Sequence, residues 1–129
     1  GGYPAWKIQI YRQFAKKSQS LYLINNDSHK QETYETVKKI LGTNELDFLF
    51  IDGDHSYYGV RKDFEIYSPL VRKGGIIAFH DIVSDVKSDM SIKVHLFWEE
   101  LKKRFAFCEF NSANQVDFEG HGIGVIKWE

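Results

Sequence analysis

Two hydrophobic periods alternate along this chain, one near four residues and one of continuous short runs. Trp6, Ile10 and Phe14 recur every four residues and predict a helix over Trp6–Lys17, with Pro4 just ahead of it. The apolar run Leu21–Ile24 predicts a short strand, and Asn25-Asn26-Asp27-Ser28 after it a turn. Tyr34, Val37, Ile40 and Leu41 share one face of a helix expected over Lys30–Leu41. Asp27 or Ser28 is placed to cap that helix, and Gly42 to end it. Phe48–Ile51 is a buried-type strand. Val60, Phe64, Tyr67 and Leu70 or Val71 form the stripe of a third helix, Tyr58–Val71, whose last turn Pro69 makes irregular. Gly74-Gly75 reads as the turn into strand Ile76–Phe79. A polar, charged stretch, 84–91, reads as a loop. A fourth helix follows at Val94–Arg104, with Val94, Phe97, Trp98 and Leu101 on one face. Strand Phe105–Phe110, a loop over 111–121 and strand Gly122–Trp128 complete the chain.

Strands that alternate with helices of this length predict βαβ units in a parallel sheet. The last two strands have no helix between them, so they form a hairpin and the final strand runs antiparallel. The expected class is α/β, a Rossmann-like, mostly parallel sheet with an antiparallel C-terminal strand. The 129 residues suit one domain, 1–129, large enough to bury about two thirds of its unfolded surface. No internal repeat or linker interrupts it.

Composition narrows the function classes. Aromatic residues make up 16% of the chain, which excludes a disordered tail. Seventeen basic and eighteen acidic residues give a net charge of -1, spread without clusters, so nucleic acid is not an expected partner. No apolar run approaches the ~20 residues that span a bilayer, and no signal peptide is seen. The single cysteine, Cys108, cannot form an internal disulfide, so a cytoplasmic location is expected. Cys108 sits in Phe105-Ala106-Phe107-Cys108 and reads as a small core residue.

The candidate chemistry gathers where apolar runs stop. Phe48–Ile51 ends at Asp52-Gly53-Asp54-His55, and Ile76–Phe79 ends at His80-Asp81. In open α/β sheets the carboxyl ends of strands are where ligands bind. Carboxylates and imidazoles there suit a hard or borderline divalent ion. His55 could instead take a proton from a substrate hydroxyl, because its reference pKa lies near ~6.5. Alone, His80-Asp81 is equally well explained by a cap or a structural histidine, and its pairing with Asp52 at the end of another strand raises the functional reading; an Asx-turn explains Asp27-Ser28 well. His29, Lys30, His95 and His121 read as solvated or partner-dependent. Gly120-His121-Gly122-Ile123-Gly124 precedes a strand instead of opening a helix, so it is not a phosphate loop. Tyr57 and Tyr58 line a pocket or cover the core, whereas Phe97 and Trp98 belong to the core.

One family resembles this order of elements. Asp47-Phe48-Leu49-Phe50-Ile51-Asp52-Gly53-Asp54-His55-Ser56-Tyr57 is similar to the class I S-adenosylmethionine-dependent methyltransferases. So are Asp63-Phe64, Tyr67-Ser68-Pro69-Leu70-Val71 and Gly74-Gly75-Ile76-Ile77-Ala78-Phe79-His80-Asp81. The likeness is to the bacterial group with the cephalosporin-hydroxylase-like proteins and the metal-dependent macrolide sugar O-methyltransferases. Phe97-Trp98-Glu99-Glu100-Leu101 and Gly122-Ile123-Gly124-Val125-Ile126 also fit. The resemblance implies a seven-stranded sheet whose first two strands, with the cofactor's glycine-rich loop, lie outside this sequence. It implies that Asp52, His80 and Asp81 bind a divalent metal, with Mg²⁺ the expected ion. His80 stands where relatives often carry an acid. It also implies that His55 is the general base and that Asp27, Ser28 and Asp52 contact S-adenosylmethionine. The expected function is metal-assisted O-methylation of a small hydroxylated or sugar-bearing substrate. Two alternatives stay open: a catalytically silent module that associates, for example with a second copy, and a metal-dependent hydrolase.

Overall fold

The computed structural model describes residues 5–83, 92–111 and 122–129. The expectations placed on 1–4, 84–91 and 112–121 lie outside the described residues. Among those described, the helices are α1 (Ala5–Phe14), α2 (Gln31–Leu41), α3 (Tyr57–Tyr67) and α4 (Val94–Leu101). The strands are β1 (Leu46–Ile51), β2 (Val71–His80), β3 (Phe107–Phe110) and β4 (Ile123–Lys127). They form one sheet in the order β1-β2-β4-β3. β1 and β2 are parallel, while β4 is antiparallel to both β2 and β3. This is the expected mixed α/β arrangement, hairpin included.

The register sets the positions of the chemistry. Ile51 pairs with Phe79, so the next residue on each chain, Asp52 and His80, emerges side by side. Between Leu46↔Val71 and Phe48↔Ile76 the register shifts, and β2 carries the extra residues as a bulge. The expected Gly74-Gly75 turn is therefore part of a longer β2. Gly74 supplies the positive φ of 76°, and Gly75 lies where a Cβ would stand 2.6 Å from Val71 Cγ1.

One face of the sheet is packed. Ile51, Ile77, Phe79 and Ile126 meet Val60 and Phe64 of α3 and Val94, Phe97, Trp98 and Leu101 of α4. Phe64 lies 6.0 Å from Phe79 and 5.6 Å from Phe97 between ring centres, and Phe79 lies 5.8 Å from Trp98. These tilted and edge-to-face pairs each add about 0.5–1.5 kcal/mol to the burial itself. The ring of Trp98 lies over Gly124, where an added Cβ would be 2.6 Å away. The two helix stripes expected from the sequence thus face the sheet. α3 ends at Tyr67 and continues as a 3-10 turn, Ser68–Leu70, as Pro69 requires.

The opposite face is open. Phe48, Phe50 and Ile76 are 55%, 43% and 43% exposed there, and Phe110 is 63% exposed. Cys108 shares this face, because the β3 alternation sends Phe107 and Glu109 toward Trp98 and Cys108 the other way. The expected core cysteine is therefore exposed. Leu21–Ile24 does not form the expected strand. Among the described residues it has no ladder partner, and a lone extended run without one is left in water. α1 forms, yet Trp6, Ile10 and Phe14 of its stripe are exposed. No described helix is long and apolar enough to cross a membrane.

Candidate active site

The loop after β1 is built by short-range hydrogen bonds. The Asp54 carboxylate accepts the Ser56 backbone N–H at 2.9 Å, closing an Asx-turn. That bond, and a second from the Ser56 hydroxyl, hold the Asp54 carboxyl below its ordinary value. The Ser56 hydroxyl in turn accepts the Gly59 N–H at 3.0 Å and caps α3. Asp54 is thus committed to shaping the turn. The turn lifts His55 beside the ends of both strands. Lys93, at the start of α4, donates its N–H to the His55 carbonyl at 2.8 Å and fixes the backbone from the other side.

Four side chains meet there in a closed ring. The His55 ring contacts Asp81 Oδ2 through Nδ1 at 2.9 Å and Asp52 Oδ1 through Nε2 at 3.1 Å. His80 Nδ1 lies 3.0 Å from Asp81 Oδ1 and 3.5 Å from Asp52 Oδ1. Each carboxylate faces both imidazoles. The Asp81 side chain is 3% exposed, while that of Asp52 is 42% exposed. Asp81 also adopts φ 61°, a left-handed conformation rare outside glycine. A buried carboxylate needs partners, and here two imidazoles provide them.

The donor set fits a divalent ion. One ligand atom each from Asp52, His80 and Asp81 lie within 4.8 Å of one another. Donors about 2.1 Å from a shared ion stand roughly 3.0 Å apart at a right angle and 3.4 Å apart at a tetrahedral one. The separations from His80 Nδ1 to the two carboxylates match that range.

Asp27 and Ser28 lie in a separate turn. The Asp27 carboxylate accepts the His29 N–H at 2.9 Å, and its carbonyl accepts the Thr33 hydroxyl at 2.7 Å. α2 starts after Lys30 with no side-chain cap, so neither Asp27 nor Ser28 caps it as expected. Tyr67 donates its hydroxyl to the Ser28 carbonyl at 2.7 Å. His29 Nε2 lies 3.2 Å from Asp63 Oδ1. Asp63 is buried, and that burial raises its carboxyl despite a Ser28 hydrogen bond and the nearby imidazole. A Cβ on Gly53 would stand 3.1 Å from Asp63, so Asp63 ties this turn to the back of the Asp52–His55 loop. The carboxylate at position 63 is a buried neighbour of this loop that the sequence reading did not single out as a site residue. Its spacing with Val60, Phe64 and Tyr67 on a buried stripe was the available signal.

Tyr57 donates its hydroxyl to Glu100 at 2.8 Å and packs against the core, whereas Tyr58 is exposed. His95 is partly buried, and burial with nearby Lys93 lowers its pKa. A cleft of about 560 Å³ lies elsewhere, lined by α1 and residues 19–23. Its lining offers no titratable group except Tyr11, so the chemistry points to the strand ends.

Comparisons with known proteins identify the family and the fold. A family model described as a methyltransferase domain matches residues 6–82, more than half of the chain. An uncharacterized protein of Acanthamoeba polyphaga mimivirus is 51% identical over 49 residues, 36% of this chain and 22% of that one. A Staphylococcus aureus structure assigned as a caffeoyl-CoA O-methyltransferase superposes with a TM-score of 0.61 at 20% identity, covering 95% of this chain and 57% of the other. The O-methyltransferase TomG of Streptomyces achromogenes, solved with S-adenosylmethionine, gives a TM-score of 0.50 at 19% identity over 74% of this chain and 47% of the other. The chain therefore spans between about a fifth and somewhat over half of the length of these relatives. Its sheet is a methyltransferase-type Rossmann-like sheet in the part described, and the match over 6–82 shows that the chain belongs to the methyltransferase-domain family.

Proposed function

We propose that this chain carries the acceptor-side chemistry of an S-adenosylmethionine-dependent, metal-assisted O-methyltransferase acting on a small hydroxylated or sugar-bearing substrate. The observation that carries the reading is the closed ring of Asp52, His55, His80 and Asp81 at the carboxyl ends of neighbouring parallel strands. Family membership and the S-adenosylmethionine bound to TomG support the cofactor class.

Asp52, His80 and Asp81 would hold the divalent ion. A bound ion there supplies Lewis acidity, which lowers the pKa of an acceptor hydroxyl. S-adenosylmethionine supplies the methyl group as a sulfonium. The chain's own residues then manage the proton. Asp81, buried and fixed, would accept the Nδ1–H of His55, and Nε2, 3.1 Å from Asp52 Oδ1, would become the basic atom once the Asp52 carboxylate is committed to the ion. When transfer breaks the sulfonium carbon–sulfur bond and releases a neutral thioether, the acceptor hydroxyl's proton would pass to His55 Nε2. Backbone anchoring of His55 by Lys93, and of the turn by Asp54 and Ser56, fixes the position of that base. Asp27 and Ser28 are proposed to edge the cofactor site, with Asp52. The Ser28 carbonyl is taken by Tyr67, whereas Asp27 is exposed and spends only one carboxylate oxygen, Oδ1, on the His29 N–H, which makes it the readier contact.

Calorimetry of the intact protein with S-adenosylmethionine tests the reading, and absence of binding with or without a divalent ion would sink it. His55→Ala is expected to reduce turnover by about 10²–10⁴-fold while leaving cofactor affinity nearly unchanged. An equal loss of both would remove His55 from the base role.

A further inference from the structure

We infer that the strand-end site selects an imidazole-accepting first-row transition ion, such as Co²⁺, Ni²⁺ or Zn²⁺, over Mg²⁺, and that His80 sets this preference. The inference rests on the proposed metal-assisted reading and goes further by assigning the ion class to one side chain.

His80 is the ring member that touches both candidate carboxylate ligands through a single nitrogen, at 3.0 Å from Asp81 and 3.5 Å from Asp52. Those separations also suit donors that share one ion, and a His80 ring nitrogen counts with the two carboxylates among the three candidate ligand atoms. The strand register leaves it little choice. His80 pairs with Ile123 across the sheet and follows Phe79, which is held in the core. The edge of the ring packs near Phe50, with centres 6.3 Å apart. A nitrogen donor is therefore built into the centre of the group.

Mg²⁺ is a hard ion that demands near-octahedral oxygen ligands and parts reluctantly with water. Imidazole suits Zn²⁺, Co²⁺, Ni²⁺ and Fe²⁺, and affinity for a mixed nitrogen–oxygen site rises along the first row. His55 contacts the same two carboxylates, 3.1 Å from Asp52 Oδ1 and 2.9 Å from Asp81 Oδ2, and orients them toward the shared nitrogen donor.

The test is metal titration of the intact protein, without cofactor or acceptor, by calorimetry and thermal shift. Co²⁺ is the spectroscopic probe, because its visible bands report nitrogen ligation. Co²⁺ is expected to bind at least about tenfold more tightly than Mg²⁺. His80→Glu, checked for folding by circular dichroism, is expected to reverse or erase that preference, weakening Co²⁺ and strengthening Mg²⁺. His95→Ala, on α4, serves as the control for histidine outside the group and should leave the preference intact. Three results would overturn the inference: Mg²⁺ binding as tightly as Co²⁺, no Co²⁺ binding, or a preference untouched by His80→Glu. S-adenosylmethionine binding, measured separately, decides the methyltransferase reading whichever ion the site prefers.

Discussion

Ser56 performs two functions within a few residues: its N–H donates to Asp54 and its hydroxyl accepts from Gly59. Removing that hydroxyl leaves the first turn of α3 without a side-chain cap. Ser56→Ala is expected to cost about 1 kcal/mol in urea denaturation. Asp54 adds a pH dependence of definite sign. Its carboxyl is lowered in the folded chain, first by the Ser56 backbone N–H. Its contribution is therefore full above its unfolded value of about 3.9 and is lost as pH falls through the folded one. Asp63 has the opposite sign, because burial raises its carboxyl, and stability tied to it falls as pH rises through that range. Acid titration of the whole protein mixes the two. The gap between wild type and Asp54→Ala isolates the first: it should be open at neutral pH and close below about pH 4.

At the scale of elements, the helix α3 shows how a local rule can reverse. Glycine within a helix ordinarily gives up about 1 kcal/mol against alanine. At Gly59, a Cβ would stand 2.1 Å from Asp54 Cγ. Gly59→Ala should therefore destabilise, by roughly 1–3 kcal/mol, and the same urea experiment reads it. Much of this element was legible in the chain. The stripe Val60, Phe64, Tyr67 predicted the buried face, and Pro69 predicted the irregular end. Strand ends at Asp52 and His80 were legible because each apolar run stops at a charged group. Asp63 was legible only in part: its place on the Val60, Phe64, Tyr67 stripe signals burial, but its partner His29 lies thirty-four positions away and that pairing leaves no periodicity. Leu21–Ile24 misled for the converse reason. Its residues have strand propensity, but a strand forms only beside another, and propensity yields to that requirement. Cys108 failed similarly: an apolar run was read as buried on both faces, whereas β3 is a four-residue edge strand with one face open.

At the scale of the whole molecule, the sheet is energetically one-sided. Phe79 is 1% exposed and lies between Phe64, Phe97 and Trp98, whereas Phe50, paired one position earlier on the neighbouring strand, is 43% exposed on the opposite face. The same residue type thus meets two environments within one ladder. Phe79→Ala removes a ring from a packed cluster and is expected to cost about 3–5 kcal/mol. Phe50→Ala removes a ring that already faces water over nearly half its surface, and should cost less than about 1 kcal/mol. Urea denaturation at several protein concentrations measures both. Concentration-independent values in that ratio would place the cohesion of this chain on the α3–α4 side. A Phe50→Ala cost that approached that of Phe79→Ala would show that the open face is covered in solution.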